Sequence, residues 1–163
     1  MCATAQRSIL LKTQVTMQPV SRDDREDFLR MAETHFQELN PAFIPQADWK
    51  SCYLDRILGN RRLAVRWILL DGKRCGFILF GTEDHRFLPR QTGAIYELYV
   101  DREHRRQGVG RACALEAIRE LQAAAPSKVQ LEIMEGNTGA EKLWKSLGFR
   151  KVSERWVLSE LQP

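Results

Sequence analysis

Residues 101–111 read Asp-Arg-Glu-His-Arg-Arg-Gln-Gly-Val-Gly-Arg, and the chemistry of this chain is easiest to place there. Arg105, Arg106 and Arg111 concentrate positive charge. Gly108 and Gly110 carry no side chain, so main-chain N–H groups can approach a ligand closely. An apolar run, 94–100, precedes this stretch and an amphipathic one, 110–124, follows it. A glycine-bearing turn that opens a helix is a ready anion site. The first amides of a helix have no acceptor within it, and the helix dipole favours negative charge. A diphosphate suits the combination better than a neutral ligand. Arginine beside two glycines also occurs in plain solvated turns, so the run alone leaves that alternative open.

Other reactive side chains are scattered. Glu97 and Tyr96 are neighbours in the run 94–100, so on a regular strand they face opposite sides unless a bulge reverses one of them. Tyr96 and Tyr99 read as core or cleft wall, as do Trp49, Trp67 and Trp156, whose indoles supply large apolar area. His35 falls on the apolar stripe of a helix and reads as a packed core-edge residue. His85 sits in a polar loop, and His104 reads as a surface residue beside the glycine turn. Cys2, Cys52, Cys75 and Cys113 form no C-x-x-C pair and read as reduced, structural thiols.

The elements that must position these groups follow from periodicity and punctuation. Residues 14–20 alternate as a first strand closed by Pro19. Ser21 offers an N-cap, with Asp23 and Asp24 at the positive end of a helix that runs to Leu39, where Asn40-Pro41 ends it. A second helix spans 48–58 and stops at Gly59-Asn60. Runs 63–70 and 75–81 flank Asp71-Gly72 and form a hairpin. A charged loop, 83–92, leads to strand 94–100, helix 110–124, strand 129–134, helix 138–147 with Gly148 at its end, and a last strand 149–158. Two-fold alternation early and a strand–helix–strand unit late predict a mixed α/β sheet with helices on both faces.

The bulk numbers exclude several classes. A length of 163 residues suits one domain. Net charge is +4, from 25 basic against 21 acidic side chains. That excess is too small to argue nucleic-acid binding. No apolar run approaches the roughly 20 residues of a membrane helix, and the N-terminus lacks the h-region of a signal peptide, so a cytoplasmic protein with no membrane partner is expected.

Downstream stands Leu131-Glu-Ile-Met-Glu-Gly-Asn137-Thr-Gly-Ala140, and then Leu147-Gly-Phe149. Together with Arg105-x-x-Gly108-x-Gly110 directly after a strand, this resembles the GNAT superfamily of N-acetyltransferases over roughly residues 93–150. The first motif is similar to the family's acetyl-CoA loop and the second to its later cofactor segment, in the same order. A dinucleotide fold is disfavoured, because the loop follows the wrong strand and lacks Gly-x-Gly-x-x-Gly.

The resemblance implies an α+β GNAT fold: a mostly antiparallel mixed sheet whose strands splay in a V. It implies residues 1–13 as an N-terminal extension and 14–163 as one N-acetyltransferase domain. It implies acetyl-CoA as cosubstrate with no metal, a primary amine of a small molecule or peptide as acceptor, and it admits a homodimer. Leu98, Tyr99 and Val100 would pair with the pantetheine arm, the Leu98 N–H polarising the thioester carbonyl. Arg105, Arg106, Gln107, Gly108, Val109, Gly110 and Arg111 would hold the diphosphate. Asn137 would bond the arm from its other side, and Trp144 would cover the thioester.

Direct attack by an amine needs a base and gains from an acid for the thiolate. The glutamate that many members carry early in this strand falls at Ala94, which cannot act, and a second family position falls at Tyr96. Glu132 stands five residues before Asn137, as does a glutamate in the branch typified by ribosomal-protein alanine acetyltransferases. The tyrosine acid of that branch is replaced here by Trp144, whose indole N–H is far too weak. The base candidates therefore stand in the order Glu132, Glu97, then a water chain. Glu83 and Asp84 would attract a cationic acceptor. The missing residues keep a second reading open, an acyl-CoA-binding sensor module without turnover.

Overall fold

Asp71-Gly72 does what a tight hairpin turn requires. Both residues adopt positive φ, 49° and 79°, matching the twist of the strands they join. Those strands are β2 (Leu63–Leu70) and β3 (Lys73–Asp84), antiparallel neighbours in a five-stranded sheet. β1 (Val15–Pro19) lies antiparallel on the outer side of β2, and β4 (Gln91–Val100) lies antiparallel to β3. β5 (Val129–Leu131) adds to β4 in parallel, giving the order β1-β2-β3-β4-β5. The computed structural model describes residues 14–85, 87, 89–124 and 128–156.

Helices α1 (Arg25–Leu39) and α2 (Ala47–Gly59) cover one face of the sheet. Phe28, Ala32, Leu54 and Ile57 join Val65, Trp67, Leu69, Phe77, Leu79 and Tyr99 in one buried cluster. Phe28 meets Trp67 and Phe77 edge-on, at centroid distances of 6.0 and 5.1 Å. Residues next to these along β2 must point the other way. Arg66 does so, and its guanidinium grips both oxygens of Glu120 on α3 (Val109–Ala124) at 2.5 and 2.7 Å. That helix buries Cys113, Ala114, Ala117 and Leu121 against the opposite face. Close approach is enforced at Gly93, where an added Cβ would lie 3.0 Å from Leu121 Cβ.

The start of α1 is fixed by local chemistry. The N–H and hydroxyl of Ser21 both donate to the Asp24 carboxylate at 2.9 Å, and Arg74 reaches the same carboxylate at 2.5 Å. The Ser21 main-chain donor pulls the Asp24 carboxyl down to about 2. Arg74 also lies over the Trp67 ring, 4.5 Å from its centroid, which ties the helix entry to the sheet.

The chain falls into two compact units, Met1–Glu132 and Ile133–Pro163. The second holds α4 (Thr138–Ser146), capped by Asn137, whose side-chain oxygen accepts the Ala140 N–H at 3.1 Å. Its end is a Schellman motif. Gly148 at φ 90° donates to Lys145 O, and Phe149 donates to Trp144 O. Trp144 meets Phe149 edge-on at 5.4 Å, the apolar contact that accompanies this cap.

Three sequence expectations differ from the structure. The fifth strand stops at Leu131 instead of Met134, because its partner β4 bulges just past Ile95 and residues 134–138 turn through Gly136 at φ 80°. The last strand expected over 149–158 is absent among the described residues 149–156, which join no strand ladder that would hold them extended; 157 and 158 lie outside the described residues. Trp156, expected in core or cleft wall, is 87% exposed. Cys2 also lies outside the described residues, while Cys52, Cys75 and Cys113 are free thiols. Burial pushes the Cys113 thiol up to about 12.

Candidate active site

β3 and β4 run in register from Gly76↔Val100 to Leu79↔Glu97, and the next pair is Phe80↔Ile95. Tyr96 is therefore one residue too many. This bulge bends the strand and re-aims the side chains around it. Glu97 stays opposite Leu79, on the face covered by α1 and α2, while Ile95 turns with Phe80 to the other face. Pairing with β5 covers only Gly93, Ala94 and Ile95, so β4 continues from the bulge to Val100 without β5 beside it. Its main chain alternates there. Asp101 donates to Cys75 O at 2.8 Å, and a Cβ on Gly76 would lie 2.1 Å from Tyr99 O, so residues 99 and 101 face β3. Leu98 and Val100 turn their N–H groups to the opposite edge.

Beyond Val100 a single 3-10 turn, Arg102–His104, leads into the glycine loop. Arg106 is held at φ 65° and Gly108 at φ 81°, and the first helical bond of α3 runs from Ala112 N–H to Gly108 O at 3.0 Å. Val109 and Gly110, in the first turn, have no intrahelical acceptor. The space around Gly108 is open, with no heavy atom within 4 Å of a Cβ placed there. The loop has the conformation of an anion cradle.

Arg105 departs from the sequence expectation. Its Nε donates to Val100 O at 2.6 Å, its Nη2 reaches Glu38 Oε2 at 2.6 Å, and its guanidinium lies over the Tyr99 ring. It braces the loop against β4 and the end of α1 instead of presenting its charge to the opening. Burial would raise the Glu38 carboxyl, but Arg105 and then Arg102, at 3.1 Å, outweigh it and hold it low. Thr34, Gln37, Glu38, Tyr99, Asp101, Arg102 and Glu103 line a polar cavity of about 510 Å³ at this corner.

On the α1/α2 side of the bulge the carboxylates find partners. His35, only 7% exposed, places Nε2 2.6 Å from Glu97 Oε2. Burial, and then the Glu97 charge, push the Tyr53 phenol of α2 well up. Tyr99 is pushed up to about 12, by burial and then by Asp101 and Glu38. Tyr96 donates its hydroxyl to Glu83 at 3.3 Å, and Glu83 also accepts from Gln130 of β5. Burial, then the Glu83 charge, raise the Tyr96 phenol. Asp84 pairs outward with Arg62 at 2.8 Å.

The sequence-predicted residues are thus brought together unevenly. Tyr96, Glu97, Leu98, Tyr99, Val100 and the loop through Arg111 form one continuous path. Glu132 is exposed and stands just past the end of β5, not within a strand. Asn137 and Trp144 belong to the second unit, where the first caps α4 and the second packs on Phe149. His85 accepts the Phe87 N–H at 3.2 Å, and His104 is partly covered rather than a plain surface residue. Sequence reasoning missed Glu38, Tyr53 and the pairing of His35. Only the position of His35 on an apolar helix face signalled that it would need a buried polar partner.

Among the described residues no cluster of three or more His, Cys, Asp or Glu could hold a metal ion, and no helix is long and apolar enough to cross a membrane. The chain matches the Acetyltransferase (GNAT) family over residues 23–149. It is 25% identical to an uncharacterized N-acetyltransferase of Methanocaldococcus jannaschii over 151 residues, which are 91% of this chain and 66% of that protein. It is 34% identical to the ribosomal protein bS18 alanine N-acetyltransferase of Escherichia coli (strain K12) over 61 residues, 37% of this chain and 41% of that one. The chain thus spans less than two thirds of the length of these relatives. Its fold is similar to that of an aminoglycoside N-acetyltransferase solved in complex with CoA, with a TM-score of 0.71 and 16% identity, covering 94% of this chain and 99% of that one. A mixed sheet bulged in its fourth strand, opening onto a glycine loop at a helix N-terminus and matched to the family over most of its length, makes this chain a member of the GNAT acetyltransferase family.

Proposed function

We propose that this protein transfers an acetyl group from acetyl-CoA to a primary amine of a small molecule or peptide by direct attack. The observation that carries the reading is the outward main-chain edge of β4 running into the Gly108 loop at the start of α3. Family membership supports acetyl transfer, and the structural neighbour holding CoA supports the cosubstrate. In this reading the pantetheine arm lies along Leu98, Tyr99 and Val100, and the Leu98 N–H polarises the thioester carbonyl. The Val100 carbonyl is engaged by Arg105, so Leu98 and the Val100 N–H carry the pairing. The amides from Arg106 to Arg111 take the diphosphate.

Glu97 then becomes the leading base, ahead of Glu132. It lies at the bulge, on the face shared with α1 and α2, where an amine must come to reach a thioester held along β4. Tyr96 lines the same face, and its raised phenol stays protonated at neutral pH and can donate. Asn137 and Trp144 keep, as a proposal, the cofactor roles that the family resemblance implies. Glu83 adds negative charge near Tyr96, favouring a cationic acceptor.

The test has two parts. Calorimetry with acetyl-CoA in the presence of a chelator should show binding without metal. A panel of polyamines, aminoglycosides, amino acids and peptides, read by thiol release, should show turnover with at least one class. Tight acetyl-CoA binding with no thiol release for any amine would replace the enzyme with an acyl-CoA sensor.

A further inference from the structure

We infer that His35 is a positioning residue for Glu97, and that its neutral form sets the pH range in which Glu97 can take a proton. The inference rests on the reading of Glu97 as the base.

A histidine buried to 7% exposure among aromatic rings loses hydration and needs a partner. Its partner is 62 positions away on β4, at 2.6 Å. The ring is held on three sides, with centroids 5.3 Å from Phe36, 5.8 Å from Phe77 and 5.4 Å from Tyr99. It cannot swing away from Glu97 without breaking this packing. Glu97 keeps 21% side-chain exposure. Its Oε1 has no hydrogen bond or ion pair among the described residues, whereas Oε2 is taken by His35. The pair therefore presents one oxygen, in a fixed direction, from the bulge.

With Nε2 protonated, neutral His35 donates to Oε2 and leaves Glu97 ionised. The ammonium N–H bond of the acceptor breaks, its electron pair stays on nitrogen, and the proton passes to Oε1 to give a neutral carboxyl. His35 keeps its Nε2 proton throughout. When His35 gains a second proton on Nδ1, a positive charge sits against Oε2. Glu97 becomes a weaker base, and a cationic acceptor is repelled. Other titratable groups surround the His35–Glu97 pair. Tyr53 comes from α2 and Tyr99 from β4, with Asp101, Glu38 and Arg105 next to Tyr99. Both phenols are raised and stay neutral, and β3 meets the ring with Phe77. Glu97 is thus the charge that His35 meets directly.

The experiment is a pH titration of the three histidines by imidazole NMR, in the wild-type chain and in Glu97→Gln, with Glu97→Asp as a second variant that retains the charge. His35 should titrate lower in Glu97→Gln than in the wild type, and be lowered less in Glu97→Asp, while His85 and His104 stay put. A His35 titration unmoved by Glu97→Gln would overturn the pairing. The thiol-release panel separates this from the base reading. Where His35→Gln turns over, the acid limb should move to lower pH; a uniform loss with an unmoved limb would reduce His35 to packing. Coupling seen by NMR with near-native turnover in Glu97→Gln sinks the base reading alone. Turnover lost in that variant without coupling sinks the role of His35 alone.

Discussion

The two halves of the proposed site are made of different materials. From Leu98 through Gly110 the groups that the proposed site would offer a ligand are amides and carbonyls; Arg105 turns its charge elsewhere and Gly108 has no side chain. Across the bulge the groups on offer are side chains. His35, Tyr53, Glu83 and Glu97 come from one helix or another or from different strands, and tertiary packing alone brings them together. The main-chain half should tolerate a change of side chain and fail on a change of conformation. The side-chain half should do the reverse, losing chemistry while still holding cofactor.

The largest expected effect lies in the second half. Glu97→Gln should lower turnover by roughly a hundred- to ten-thousand-fold, the range typical of lost acid–base catalysis, with acetyl-CoA affinity nearly unchanged. Glu132→Gln, beyond the end of β5, should change turnover by less than about tenfold on the same argument. Steady-state kinetics and calorimetry on both variants check this. Near-native Glu97→Gln beside an inactive Glu132→Gln would return Glu132 to first place.

In the first half Gly108→Asp should weaken acetyl-CoA binding by at least about a hundredfold. An L-residue at φ 81° costs roughly 1–2 kcal/mol, and the new charge opposes the diphosphate. Gly108→Ala sharpens the reading. Its Cβ meets nothing within 4 Å, so only the conformational cost remains, about tenfold. Equal calorimetric affinities for wild type and the aspartate variant would remove the loop from the site.

These halves also differ in how legible they were. The glycine loop, the Asp71-Gly72 turn and the Ser21 cap could be read because each is local: positive φ or an unpaired amide is answered within a few residues. The hairpin and the helices on both faces followed from periodicity. The bulge at Tyr96 was foreseen only as an alternative, since it is a property of the ladder with β3. The length of β5 and the missing last strand depend on partners too, and apolar alternation cannot say whether a partner is present. Nor could spacing reveal that Arg105 spends its donors on Val100 and Glu38. His35 and Glu97 were each noticed, yet nothing local links positions 62 apart.

Arg105→Gln asks whether that brace belongs to the fold or to the ligand. Losing its bonds to Val100 O and Glu38 should cost roughly 1–2 kcal/mol in denaturant unfolding, because Glu38 is left partly buried with one partner fewer. The affinity for acetyl-CoA should fall less than about tenfold if the loop amides do the holding. A larger loss of affinity than of stability would put the Arg105 charge on the diphosphate after all.

The smallest expected effect tests how the side-chain half is anchored at the entry to α1, the helix that carries His35. The Asp24 carboxyl sits at about 2, held down first by the Ser21 N–H and also by Arg74, against an unperturbed value of 3.8. A folded value below the unfolded one means that the ionised form stabilises the fold. The contribution is complete above about pH 4 and drains away as pH falls towards 2. Asp24→Asn keeps an acceptor for Ser21 but loses the charge facing Arg74 and the helix dipole, so it should cost about 1 kcal/mol at neutral pH. The difference between the two proteins should shrink towards zero on acidification, as followed by denaturant midpoints at several pH values. A gap that stays constant down to pH 2 would mean that Asp24 acts by shape alone, and that α1 is seated by its apolar face without help from the charge at its start.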